Sequence, residues 1–136
     1  ELNVSSFDTG KVANMGGLFA GCSGLNSLDV SNFNTSNVTS MVQMFHGCKN
    51  LTKLDISNFI TESVMDMSWM FFNCSALTSL DLSNFDTSNV TNMSSMFRFA
   101  SNLTLIQVSN KWKVGETTNI TNMFANCGTS DVTLKQ

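Results

Sequence analysis

A unit of 26 residues, repeated in register, limits what this chain can fold into more than any other feature. Leu28-Asp29-Val30-Ser31-Asn32-Phe33 returns as Leu54-Asp55-Ile56-Ser57-Asn58-Phe59 and as Leu80-Asp81-Leu82-Ser83-Asn84-Phe85, with no insertion between copies. Leu2-Asn3-Val4 opens the series and Ile106-Gln107-Val108-Ser109-Asn110 continues it. A second block keeps the same step. Val38, Met41, Met44, Phe45 and Cys48 map onto Val64, Met67, Met70, Phe71 and Cys74, then onto Val90, Met93, Met96, Phe97 and Ala100. The first copy supplies Val12, Met15, Leu18, Phe19 and Cys22; after one inserted residue near Lys111 the last supplies Thr117, Ile120, Met123, Phe124 and Cys127. Val132-Thr133-Leu134 closes the series, giving about five repeats. A unit of this size cannot hide its apolar face alone, so the units must stack on one another to make a core.

Within each unit the apolar spacing changes from two to roughly 3.6, the switch that separates strand from helix. Leu-x-Val and Leu-x-Leu predict a very short strand with one face buried. The i, i+3, i+6, i+7, i+10 pattern from Val38 to Cys48 predicts about three turns of amphipathic helix. Polar turns such as Asn34-Thr35-Ser36-Asn37 and Asp86-Thr87-Ser88-Asn89 stand where helix amides need caps. Gly21, Gly47, Asn73 and Asn126 stand where a helix ends on a left-handed residue. The fold class expected is therefore an α/β solenoid: a right-handed stack with short parallel strands on its concave side and short helices on its convex side. Residues 1–136 read as a single repeat domain.

Charge is scarce, at 12% of residues, and Ser, Thr and Asn together make up 50 of the 136, so hydroxyls and amides must build most of the polar surface. A net charge of −3 argues against a basic nucleic-acid footprint. The apolar runs are a few residues long, far short of the ~20 that span a bilayer, so this segment is not expected to insert into a membrane.

Cys22 to Phe33, Cys48 to Phe59 and Cys74 to Phe85 share Cys-x-x-Leu-x-x-Leu-Asp-x-Ser-Asn-Phe, which contains the leucine-rich-repeat strand spacing Leu-x-x-Leu-x-Leu. Together with Asp86-Thr87-Ser88-Asn89-Val90-Thr91-Asn92-Met93-Ser94-Ser95-Met96-Phe97, it resembles the BspA-like leucine-rich repeats of bacterial surface proteins, in the 26-residue variant of lactobacillus and mycoplasma surface proteins. The resemblance covers essentially the whole chain. It departs at Phe33, Phe59 and Phe85, which stand where an asparagine ladder usually binds backbone; a phenylalanine column is expected there instead, with the amides paired elsewhere. The resemblance implies a cell-surface or extracellular adhesion protein that holds a host or bacterial surface protein, an extracellular-matrix protein or a glycan. It also implies that the chain is a segment of a longer surface protein whose export signal and anchor lie outside it.

Several residue sets are candidates for chemistry. Cys22, Cys48, Cys74 and Cys127 are spaced by the repeat itself, and Ala100 fills the same slot, so they read as a core column of free thiols. With no Cys-x-x-Cys pair, no metal site is expected. Asp29, Asp55 and Asp81 share one strand position and form an acidic column on the concave face, either a weak cation site or a set of local hydrogen bonds to serines such as Ser27 and Ser31. Thr9, Thr35, Thr61 and Thr87 form a column that raises ice binding as a minor alternative. Nine Asn-x-Ser/Thr triplets follow the repeat and read as turn chemistry.

The third repeat is the odd one. It carries Ile60 and Met65 where its neighbours are polar, Trp69 at the place of Gln43 and Ser95, and Phe72 at the place of His46 and Arg98. An aromatic pair beside an arginine has the composition of an interaction hot spot, so Trp69, Phe72, Ile60, Met65, His46 and Arg98 are the candidate binding residues. The alternative is that the rings fold over neighbouring repeats as extra packing, with Arg98 on Phe72. His46 is the single histidine, and no nucleophile elbow or phosphate-binding glycine loop accompanies it. The chain is expected to be neither an enzyme nor a cofactor carrier. Two functions remain: a non-enzymatic adhesion module, or a structural spacer that binds nothing itself. The pattern also starts and stops without polar caps, so weak end-to-end self-association is expected.

Overall fold

The computed structural model describes residues 2–136. Consecutive repeats lie side by side and run parallel. Along one side the chain forms β1 (Ser79–Leu82), β2 (Leu105–Val108) and β3 (Thr133–Leu134), an open parallel sheet in the order β1-β2-β3. Leu80 lies beside Ile106, Asp81 beside Gln107 and Leu82 beside Val108, while Gln107 in turn lies beside Thr133. Leu80 and Leu82 are buried and Ser79 and Asp81 exposed, the alternation that Leu-x-Leu predicts.

The expected α/β solenoid is not seen. There is no helix among the described residues, and the sheet has three strands rather than one per repeat. The helix expectation failed for a reason visible in the backbone. Met44 N–H donates to the Met41 carbonyl at 3.2 Å and Cys48 N–H to the Phe45 carbonyl at 3.1 Å, so the block is a run of tight turns. The third residue of each turn is left-handed: Gln43 at φ 58° and Gly47 at φ 74°. The pair recurs as Gly17 and Gly21, Trp69 and Asn73, Ser95 and Phe99, and Asn122 and Asn126. Turns of this kind require positive φ at their third position, and a left-handed residue every fourth place forbids a right-handed helix.

The amides released from helix bonding go to the next repeat. The N–H groups of Met41, Gln43, Phe45 and Gly47 donate to the carbonyls of Asp66, Ser68, Met70 and Phe72, and those of Met67, Trp69, Phe71 and Asn73 donate onward to Asn92, Ser94, Met96 and Arg98. At the start of each turn block one bond runs the other way, from Thr39 to Ala13, Met65 to Thr39, Thr91 to Met65 and Asn119 to Thr91. Val38, Met41, Met44, Phe45 and Cys48 are all buried, so the apolar spacing marked the inward residues correctly while misassigning the backbone that carries them.

The strands fail to extend to earlier repeats where the acidic column begins. Asp81 has the neutral Gln107 as its lateral partner, and Gln107 has Thr133. Full pairing of the earlier copies would set Asp29, Asp55 and Asp81 directly beside one another, and like charges in that position oppose pairing. Leu54 is only half-buried, against 2% exposure for Leu80 and 8% for Leu28.

Three columns tie the repeats together. Phe19, Phe45, Phe71, Phe97 and Phe124 stack with centroids 5.7, 5.6, 5.7 and 5.6 Å apart. Thr9, Thr35, Thr61 and Thr87 are buried, and each hydroxyl both donates to a carbonyl and accepts an amide of the following repeat; Thr61 Oγ1 donates to Asp86 at 2.9 Å and accepts from its N–H at 2.8 Å. Buried threonines cannot meet an ice surface. Asn32, Asn58 and Asn84 form a ladder after all, one place before the buried Phe33, Phe59 and Phe85: Asn58 Nδ2 donates to the Val30 and Phe33 carbonyls at 3.0 and 2.9 Å. Cys48 and Cys74 thiols donate to the Phe19 and Phe45 carbonyls, and burial pushes them up to about 11 and about 12, so neither is a thiolate at neutral pH.

Phe71→Ala should therefore cost about 3–5 kcal/mol, and Leu54→Ala clearly less, because a ring in the buried column leaves a cavity that a half-buried leucine does not. Urea unfolding midpoints of the two variants measure the difference.

Candidate functional site

On the outward side of the turn ladder, repeats two to four carry rings where the first and last carry small or polar residues. His46 and Phe72 occupy equivalent places one repeat apart and stack face to face, with centroids 4.7 Å apart and planes 3° apart. Trp69 leans on both, 4.7 Å from Phe72 and 6.2 Å from His46. Phe99 meets Phe72 edge-on at 5.4 Å, and the Arg98 guanidinium carbon lies 4.9 Å from the centre of the Phe99 ring. His46, Trp69, Phe72 and Arg98, all singled out by sequence, are thus brought into one ridge and are each half-buried. Ile60 and Met65, 45% and 54% exposed, stay outside the ring cluster on the third repeat.

Phe99 is the member that sequence reasoning missed. The signal was present: its column reads Gly21, Gly47, Asn73, Phe99 and Asn126, and every member is left-handed. Phenylalanine at φ 62° and Trp69 at φ 61° are strained in a way that glycine is not, and asparagine much less so. Arg98 also stacks on Phe99 rather than on Phe72, and its Nε is buried without a hydrogen-bond partner. Three unfavourable local features therefore meet on one ridge.

The acidic column is a separate surface. Asp29, Asp55 and Asp81 each accept the amide two residues on, from Ser31, Ser57 and Ser83 at 2.9, 3.0 and 3.0 Å. These serines hold Asp29 and Asp55 below the usual carboxylate range. Asp81 falls further, to about 2, chiefly because Lys135 Nζ donates to it at 2.6 Å, with Ser83 adding to the effect. Among the described residues no group of three His, Cys, Asp or Glu side chains could hold a metal ion, and no helix is long and apolar enough to cross a membrane.

The turn ladder and its repeating columns describe a fold that is the same from unit to unit, and the comparison with known families agrees in extent. The family described as "Mycoplasma protein of unknown function, DUF285" matches residues 1–54 and 29–136. The chain belongs to this family. No curated protein and no solved structure matches it. The family's description carries no activity or ligand, so the ridge has to be judged on its own geometry.

Phe99→Asn should leave stability within about 1 kcal/mol of the parent, because relief of a left-handed residue, about 1–2 kcal/mol, offsets a lost aromatic pair of about 0.5–1.5 kcal/mol. Chemical denaturation of the variant measures this, and a loss of several kcal/mol would contradict it. The Asp81–Lys135 pair has the sign of a depressed carboxyl: its contribution is complete above the unfolded value near 4 and disappears as pH falls through about 2. Both side chains are about half exposed, so the effect stays below about 1 kcal/mol. The difference in urea midpoint between the parent and Lys135→Ala should shrink from pH 5 to pH 2.

Proposed function

We propose that this chain is a non-enzymatic interaction module that holds a protein or glycan of a host or neighbouring cell through the ridge of repeats two to four. The observation that carries the reading is the placing of Trp69 and Phe99 at left-handed positions where other repeats use Gly, Asn, Gln or Ser. Strain of this kind is retained where a surface must be held in one shape. The ridge is also rich in the residue types that dominate binding energy at interfaces. The cell-surface setting rests on the resemblance to BspA-like surface repeats.

A second reading, a spacer that projects another part of a surface protein and binds nothing, draws support from the half-burial of the rings and their stacking on one another. The variant Trp69→Ser/Phe72→Ser separates the two. In pull-downs against extracellular-matrix proteins and glycans, the module reading expects binding to fall by about tenfold or more, as for loss of a hot spot of about 2 kcal/mol. Lower stability with capture unchanged would leave the spacer.

A further inference from the structure

Arg98 is the one arginine of the chain. The Phe99 face gives it a cation–π partner at 4.9 Å. Its Nε is buried and unpaired, and the one ion pair among the described residues joins Lys135 to Asp81 elsewhere. A buried donor without an acceptor is destabilising and calls for an explanation. Arg98 stacks on the strained Phe99, on the same ridge as the strained Trp69, so the ridge is unfavourable in the free protein at the place where it is richest in contact-forming side chains.

Resting on the reading of this ridge as a docking surface, the geometry points to a partner carboxylate: an acidic side chain of an extended protein segment pairs with Arg98, while the segment's apolar neighbour lies against Trp69 and Phe72. With Nε turned inward, a carboxylate meets the guanidinium end-on, on its two terminal nitrogens at once, and apolar walls strengthen such a pair by excluding water. No acidic side chain of the chain itself competes for Arg98 among the described residues. A protein segment fits better than a sugar acid. A sugar ring needs an open aromatic plate, whereas Phe72 is already stacked on His46 at 4.7 Å and pressed by Trp69 at 4.7 Å. Exposed Ile60 and Met65 on the same repeat add aliphatic surface, and Met, Arg and aromatic residues are those enriched at protein interfaces.

Because there is one arginine, its Nε–H gives a single resonance in a nitrogen-labelled sample of the chain. The probes are the blocked peptide acetyl-Leu-Asp-Phe-amide, its Asn counterpart, and glucuronate. The aspartyl peptide should shift the Arg98 Nε–H and Trp69 indole resonances, with the Asn peptide binding about tenfold or more weakly. Arg98→Lys should lose a similar factor, since an ammonium cannot offer the fork, and a preserved urea midpoint checks that the variant is folded. Equal affinity for the two peptides would overturn the carboxylate while leaving the ridge a docking surface. Shifts with glucuronate and none with the peptide would overturn the protein segment in favour of an acidic glycan. Silence of both resonances toward all three probes would overturn the proposal outright.

Discussion

Everything in this fold depends on where the amides of the second block send their hydrogen bonds. A left-handed residue at every fourth position turns them out of a local helix and into the neighbouring repeat, so that the block is bonded sideways rather than along itself. Each repeat satisfies its backbone only when another lies beside it. The phenylalanine stack, the reciprocal threonines and the asparagine ladder then follow from one geometry, since all three join one unit to the next at the same place in every repeat. None of these columns works in a single unit, and that is why a sequence with so little charge can still specify its register.

The stacking of units, the inward residues and four of the ridge's side chains, His46, Trp69, Phe72 and Arg98, were legible in the sequence, because all depend on periodicity or on departures from it. Met41, Met44, Phe45 and Cys48 were marked as inward by spacing alone and are fully buried. The helix was misread because i, i+3, i+6, i+7 describes successive tight turns as well as it describes helical turns. The distinguishing sign was the recurrence of Gly or Asn at two fixed positions four apart, Gly17 and Gly21 or Asn122 and Asn126, which a helix interior disfavours. That sign was read only as a helix end. The asparagine ladder was missed because Asn58 lies one place before the expected position, and a one-residue offset in an extended segment normally points a side chain to the opposite face. The missing early strands needed knowledge of lateral partners: Asp81 reads like Asp29 and Asp55 until Gln107 is set beside it.

The ridge and the ladder place opposite demands on the same positions. For the ladder, the third residue of each turn is best served by glycine or asparagine, and side-chain identity matters little beyond that. For a surface, that residue is valuable because its side chain leaves the turn pointing away from the core. Trp69 and Phe99 take the second option, in adjacent repeats, and meet across Phe72. The rest of the fold is stable enough in its columns to hold them there.

The direction of the lateral bonds has one more consequence. In the turn blocks of repeats two to four, four amides point toward the following repeat and one points back, so the peptide dipoles there add instead of cancelling as they do across a sheet. The molecule is in this respect an electrical relative of a single wide helix, although no helix occurs among its described residues. Its potential grows more positive toward the repeat containing Ile120, Asn122 and Phe124 and more negative toward that containing Asn14 and Leu18, a bias created by backbone alone and independent of the chain's sparse charged side chains.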